Sequence, residues 1–294
     1  MNKIIAVIVT YNRLNTLIRS IDAISNQTQP VDEIIIINNG DSFDITLFPK
    51  EHQKRITIIK PSSNIGGAGG FSLGIQKSID RSADFVWVMD DDAIANKTAL
   101  HHLYICFKKF SVFLPVGFVC SNVKWTDGSI CEMNQPAVRW DWARWFDENE
   151  HTINIESCSF VSVLIPRNVI LEKGLPVSDF FIWCDDTEYT RRISSTHVGL
   201  CNLSSEVVHE VIQNLGVNFS LVNEASLWKY KYGARNQVAM ERKKSFIHAL
   251  LASIKITRSV LSGSAPRRIQ SEVVFACIKG MFWNYKIPKT EYIN

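Results

Sequence analysis

Several features that would settle a protein's class at once are missing from this sequence. None of its seven cysteines, Cys106, Cys120, Cys131, Cys158, Cys184, Cys201 and Cys277, belongs to a C-x-x-C pair, and the number is odd. An odd, dispersed set argues against a disulfide framework or a zinc ribbon, and for a reducing compartment. No run reaches the roughly 18 uninterrupted apolar residues of a membrane span. "SFIHALLASIKITRSVL" comes nearest, and Lys255 and Arg258 interrupt it. The opening "MNKIIAVIVTYNR" lacks a small-residue cleavage site and reads as a first strand rather than a secretory signal. No Gly-Lys-Ser/Thr closes a P-loop, and the glycine spacing of a dinucleotide fingerprint is absent. Acidic residues are scarce at one end only. From residue 225 to residue 294 there are 13 Lys/Arg against 3 Asp/Glu, whereas the preceding part carries 19 against 26. An acidic body joined to a basic tail suggests two tasks in one chain.

What is present is globular. The 294 residues are 46% hydrophobic and 21% charged, enough to bury a core. "IIAVIVT", "EIIIIN", "RITIIK" and "FVWVM" are apolar runs fit for strands covered on both faces. Between the first two, Leu14, Leu17, Ile18, Ile21 and Ile24 fall at helical spacing, and "FSLGIQKSI" is helix-like before the fourth. This β-α-β order predicts an α/β fold with a doubly wound, mostly parallel sheet and helices on both faces. "VCSNVKW", "SCSFVSVLIP" and "GLCNLSSEVVH" predict further strands, and after about residue 220 helical stripes take over. The expected division is a catalytic body over 1–220 and a basic helical region over 221–294. In such sheets ligands bind beyond the carboxyl ends of the strands, where Thr10, Asn38 and Asp90 fall.

Strand "FVWVM" delivers Asp90, Asp91 and Asp92 side by side. An ordinary turn would solvate them; a hard-cation site would turn alternate carboxylates onto one Mg2+ or Mn2+ that also binds a nucleotide diphosphate. The strand's fixed position at the ligand edge favours the second. "DFFIWCDDTEYTRR" carries another acidic pair, Asp185 and Asp186. Asp185-x-x-Glu188 has the spacing of a capping box. As chemistry, one carboxylate would serve as general base and Trp183 as a flat platform for a sugar ring. His209 ends "SEVVH" and is either a satisfied core histidine or, beside a carboxylate site, a metal ligand. "NIGGAGGF", with Gly66 and Gly67, is a flexible loop or a backbone that approaches a ligand closely. Trp140, Trp142 and Trp145, set among charges, are partial core or a saccharide-binding wall. That stretch is charge-balanced, which disfavours nucleic acid.

Taken in order, "VIVTYNR", "INNGD", "NIGGAGGF", "VMDDDA" and "WCDDTE" resemble the family 2 glycosyltransferases of the GT-A fold, over roughly residues 3–240. "NIGGAGGF" with "WCDDTEYTRR" and a later His looks most like the bacterial galactofuranosyltransferases, with rhamnosyltransferases close behind. The resemblance implies a sugar-nucleotide donor, a divalent metal and single displacement with inversion at the anomeric carbon. It implies Asp90, Asp92 and His209 as metal ligands and Asp91 near the ribose or sugar. Thr10, Arg13 and Asn38 would border the nucleoside, with Asp186 as base and Asp185 positioning the acceptor. Many relatives carry Asp where Asn38 stands, which leaves both a UDP-sugar and a dTDP-sugar open. The implied acceptor is a lipid-linked bacterial surface glycan such as O-antigen. Rival readings are a nucleotidyltransferase, which would normally need basic residues where "TYNRLNT" stands, and a non-catalytic saccharide-binding module. The tail adds an expectation from charge and period. Phe246/Ile247, Leu250/Leu251, Ile254 and Val260/Leu261 make one stripe, and Val273/Val274, Cys277/Ile278 and Met281/Phe282 another. Interleaved with Lys and Arg, they predict peripheral binding to the cytoplasmic face of the inner membrane.

Overall fold

The structure, a computed structural model, describes residues 2–144, 149 and 151–291. Strands β1 (Ile4–Thr10), β2 (Glu33–Asn38), β3 (Ile56–Ile59) and β4 (Phe85–Asp90) alternate with helices α1 (Leu14–Ser25), α2 (Lys50–Gln53) and α3 (Gly66–Asp80). After them come β5 (Ala93–Ala95), α4 (Ala99–Phe110), β6 (Val116–Lys124), β7 (Ala137–Val138), β8 (Thr152–Ser157) and β9 (Val163–Pro166). Helices α5 (Arg167–Lys173) and α6 (Asp185–Ser194) precede β10 (Val198–His209). Together the strands form one sheet in the order β3-β2-β1-β4-β9-β6-β10-β8-β7, with β5 paired to β10. The first four strands are parallel, as the β-α-β alternation requires. Strand β9 runs antiparallel between β4 and β6, and β5, β7 and β8 also pair antiparallel, so the second half is mixed.

Every residue of β1 is buried, because successive side chains face two separate helical layers. Ile4, Ala6 and Ile8 pack with Leu17, Ile21 and Ile24 of α1 and Leu100 and Leu103 of α4. Ile5, Val7 and Val9 pack with Phe71, Ile75 and Ile79 of α3 and Tyr189 and Ile193 of α6. Part of the glycine-rich run serves this packing. A Cβ on Gly70 would lie 2.5 Å from Val9 Cγ1, and one on Gly74 would overlap Val7. Helix α3 therefore lies closer to the sheet than side chains would allow.

The chain then forms α7 (Leu227–Lys244), α8 (Phe246–Leu261) and α9 (Arg267–Phe282). Ala234, Val238, Ala249, Ile256, Val260, Ile269, Val273 and Cys277 give these helices a core of their own. The inward face of α8 differs from the expected stripe. Ala249, Ser253, Ile256 and Val260 are buried, while Phe246, Ile247, Leu250, Leu251 and Ile254 are exposed. The inward face combines small Ala249 and Ser253 with branched Ile256 and Val260, and those five bulky apolar residues are left outside. On α9, Val273 and Cys277 turn inward, and Ile278 and Phe282 stay exposed. Ala68, Val177, Phe180, Ala239 and Tyr285 join the helices to the sheet layer. The chain returns past α3, where Gln76 exchanges hydrogen bonds with the backbone of Glu291 at 2.9 and 3.0 Å. Among the described residues no helix is long and apolar enough to cross a membrane.

Candidate active site

Beyond the carboxyl ends of β1 and β4 lies a cleft of about 480 Å3 that brings both acidic clusters together. It is lined by Asp90, Asp91, Asp92 and His209 on one side and by Trp183, Asp185, Asp186 and Thr187 on the other. His209 reaches the triplet through strand pairing. The antiparallel register of β5 and β10 sets it opposite Ala93, one residue past Asp92. Its Nε2 lies 2.9 Å from Asp92 Oδ1 and 4.0 Å from Asp90 Oδ2. Its Nδ1 lies 2.7 Å from Asn134 Oδ1, an acceptor that leaves Nε2 to face the carboxylates. One ligand atom from each of Asp90, Asp92 and His209 lies within 4.8 Å of the others. Hard oxygens with one imidazole are a donor set for Mg2+ or Mn2+, and the three residues can hold such an ion.

Burial and crowding of like charge dominate the electrostatics of the triplet. Burial, assisted by Asp92, Asp91 and Asp186 and opposed by His209, pushes Asp90 up to about 7. Burial likewise lifts Asp91 to about 6, against the 2.6 Å hydrogen bond that Thr10 donates to it. Burial also opposes ionisation of Asp92, yet the hydrogen bond and charge of His209, with Arg13, hold its carboxyl below the ordinary range. Burial would pull His209 down, but its bond to Asp92 and the neighbouring carboxylates raise it to about 10. Arg13, half exposed, pairs with Asp92 and lies 3.5 Å from Asp91. One arginine and one histidine thus face three carboxylates.

The second cluster opens α6 from a strained loop. Phe181, Trp183 and Cys184 have φ of 64°, 66° and 71°, conformations that non-glycine residues rarely adopt and that gather at functional sites. The capping box is not formed. Cys184 occupies the N-cap, and Glu188 bonds Arg192 instead of reaching back. Burial raises both carboxyls, Asp185 well above the usual range through Asp186 as well. The Thr187 backbone N–H, 2.6 Å from Asp186 Oδ1, opposes the rise at Asp186.

Two residues on α7 brace this loop, and no local signal in the sequence pointed to them. Asn236, fully buried, directs its Nδ2 at the carbonyls of Phe180, Ile182 and Trp183 at 2.9, 3.0 and 2.9 Å. Gly233 leaves room for the Trp183 ring, which any Cβ there would overlap.

An adjoining cavity of about 580 Å3 is lined by Thr10, Tyr11, Arg13, Asn39, Gly66, Gly67, Asp91, Trp228 and Lys229. Gly66 takes φ +72° where the Phe181 carbonyl crowds it, and the position of a Gly67 Cβ is open space. Asn38 is directed elsewhere. Its Nδ2 donates to the Asp41 carbonyl and its Oδ1 accepts from Gly40 N–H; Asn39 lines the cavity, with its own Nδ2 donating to the Gly66 carbonyl and its Oδ1 accepting from Ile65 N–H. Trp140 and Trp142, 83% and 42% exposed, lie beside the β7 edge and do not line the cleft. Trp145 lies outside the described residues. Lys229 lines both cavities and adds a cation that sequence reasoning missed.

The family model for glycosyl transferase family 2 matches residues 5–159. Galactofuranosyltransferase GlfT1 of Mycobacterium tuberculosis is 34% identical over 122 residues, 40% of each chain. The protein of that name from Mycolicibacterium smegmatis is 32% identical over 117 residues, 40% of this chain and 39% of the relative. The matches therefore span about two fifths of those relatives' length. Among solved structures, GalNAc-T7 with UDP, GalNAc and Mn2+ superposes with a TM-score of 0.61 at 14% identity, over 82% of this chain and 47% of that one. TarS of S. aureus superposes at 0.56 and 10% identity, over 95% and 43%. These two share the fold. With more than half its length under the family model, and its acidic clusters meeting beyond the strand ends, the chain belongs to glycosyl transferase family 2.

Proposed function

We propose that the chain is a metal-assisted, inverting glycosyltransferase that moves galactofuranose from UDP-galactofuranose onto a lipid-linked bacterial glycan of the O-antigen kind. The carrying observation is the single cleft in which Asp90, Asp92 and His209 face Asp185 and Asp186. The partial likeness to proteins named galactofuranosyltransferase supports the sugar, and a structural neighbour solved with UDP and Mn2+ supports the donor class and the metal. A divalent ion held by Asp90, Asp92 and His209 would supply positive charge against the donor's diphosphate. Thr10, Arg13, Gly66, Gly67 and Asp91 would bind the nucleoside half of the donor, with Asn39 at the position expected of Asn38. Trp183 would stack on a sugar ring. Asp186 takes the proton of the acceptor hydroxyl as that oxygen attacks opposite the departing diphosphate, and Asp185 orients the acceptor. Burial that lifts a carboxyl toward the working pH makes it a better base. A single displacement needs no covalent nucleophile.

The body over 1–220 would carry the chemistry, and 221–294 would hold it on the inner membrane's cytoplasmic face. The bulky exposed face of α8, flanked by Lys255 and Arg258, supports that placement.

The purified protein is incubated with UDP-galactofuranose, dTDP-rhamnose and other sugar nucleotides, an acceptor and Mn2+, and nucleotide release is measured. Release from UDP-galactofuranose that EDTA abolishes and Mn2+ restores is expected, with loss in Asp92→Ala. Release from dTDP-rhamnose alone would make the enzyme a rhamnosyltransferase. Full activity of folded Asp92→Ala removes the metal assignment.

A further inference from the structure

A wide concavity of about 1220 Å3 lies outside the acidic cleft, among α7, α8 and α9. Four cationic side chains, Lys231, Arg235, Arg267 and Lys279, line it against one carboxylate, Glu272. That carboxylate is already engaged, by Lys231 at 2.7 Å and Arg268 at 3.1 Å. Among the described residues no carboxylate pairs with Arg267, Lys279 or Arg235. The Arg235 guanidinium donates to the Asp179 carbonyl at 2.8 Å and to Asn236 Oδ1 at 2.8 and 3.0 Å, and lies over the rings of Trp283 and Tyr232, at 4.1 and 4.9 Å. Much of the remaining wall is apolar, with Trp228 45% and Phe275 56% exposed. Lys279 lies 4.8 Å over the Phe275 ring, and Arg267 keeps its charge exposed at the rim. Monomeric domains seldom leave aromatics of this size open in one patch unless something covers them.

We propose that this groove binds the lipid phosphate of the acceptor, a reading that rests on the lipid-linked acceptor proposed above. The occupant must be anionic at one end and apolar at the other. Arginine gives a phosphate several charge-assisted hydrogen bonds, and the aromatic wall takes the first part of a hydrocarbon chain. Position selects the acceptor over other amphiphiles. Trp228 lines both this groove and the cavity assigned to the nucleoside, and Leu261 belongs both to the groove and to the exposed side of α8. The groove thus abuts the cavity assigned to the nucleoside at Trp228 and the face proposed to lie on the membrane at Leu261. A lipid-linked acceptor has to span those two places.

The test uses the full chain and farnesyl phosphate below its aggregation concentration, with farnesol, inorganic phosphate and phosphatidylglycerol vesicles as comparisons, followed by titration calorimetry. Farnesyl phosphate should bind at least 10-fold more tightly than farnesol or inorganic phosphate. The exposed pair Arg267→Glu with Lys279→Glu should lose at least 10-fold of that affinity while UDP-sugar binding is unchanged. For transfer, the same variant should raise the KM of a lipid-linked acceptor and leave the donor KM alone. Equal binding by the variant overturns the proposal, as does equal binding of farnesol (apolar contact only) or of inorganic phosphate (an anion site only). Full competition by phosphatidylglycerol vesicles also overturns it, in favour of bulk headgroups. If the unaltered protein moves no sugar to any acceptor, the functional reading fails, and the binding comparison still decides the groove.

Discussion

Asn236→Asp changes little in size yet removes the amide N–H groups that reach the carbonyls of Phe180, Ile182 and Trp183. The Phe180 carbonyl keeps the Ile182 N–H at 2.7 Å. The Ile182 and Trp183 carbonyls lose the donor shown for them. Unsatisfied acceptors cost about 1–3 kcal/mol each, and these two are only partly buried, which puts the sum near 2–4 kcal/mol if the loop stays in place. The loop also holds three non-glycine residues at positive φ, each storing on the order of 1–3 kcal/mol. Letting it relax releases that strain, so the less costly response is a displaced loop in a folded protein whose total stability is of order 5–15 kcal/mol. Asp185 and Asp186 follow that loop directly, and a shift of about 1 Å at a catalytic group costs up to roughly 10²-fold in rate. The variant is expected to lose about 2–3 kcal/mol in urea denaturation, to fall at least 10-fold in kcat, to raise donor KM because Phe181 and Ile182 line the cavity assigned to the nucleoside, and to exchange amide hydrogens faster over residues 178–190. Asn236→Ala removes the donor without adding charge, and also the Oδ1 that accepts from Arg235 at 2.8 and 3.0 Å, so it should lose at least as much. Unchanged exchange over that segment together with unchanged kcat would refute the bracing role.

Other outcomes follow from the same geometry. Asp186→Asn should keep donor affinity within a few fold and lose roughly 10²-fold or more in turnover, the scale of a general base; if Asp185→Asn is inactive and Asp186→Asn is not, the two roles are exchanged. Mn2+ affinity, followed by calorimetry, should rise from pH 6 to pH 8, because Asp90, held near 7, and His209, raised to about 10, must both release a proton to ligate, and a flat profile removes this pair from the ligand set. Gly74→Ala should cost about 1–3 kcal/mol, since its Cβ overlaps Val7 in a packed interface, and a neutral result in urea titration would mean that α3 can lift off the sheet. Flotation with anionic liposomes at low salt should fail for a chain cut after Arg242, and equal flotation of both forms would exclude α8 and α9 as the anchor.

The local order of the first hundred residues is written in the sequence, because an apolar run or a 3.6-residue period fixes an element with no knowledge of its partners. β1 to β4, the helices α1 and α3 and the delivery of Asp90–Asp92 at a strand end all follow from such runs, while the single turn of α2 carried no such signal. Which faces meet is another matter. His209 reaches Asp92 across 117 residues only because β5 and β10 pair in one particular register. Asn38 and Asn39 have the same chemistry, and the tight turn after β2 decides which of them opens onto the cavity. On α8 the period was legible but its direction was not. A helix with apolar residues on both sides can dock by either, and packing against α7 and α9 took the side of Ala249, Ile256 and Val260. The support that Asn236 gives Asp185 and Asp186 left no local trace, since a buried amide on one helix and carbonyls more than fifty residues earlier become partners only when the chain has folded.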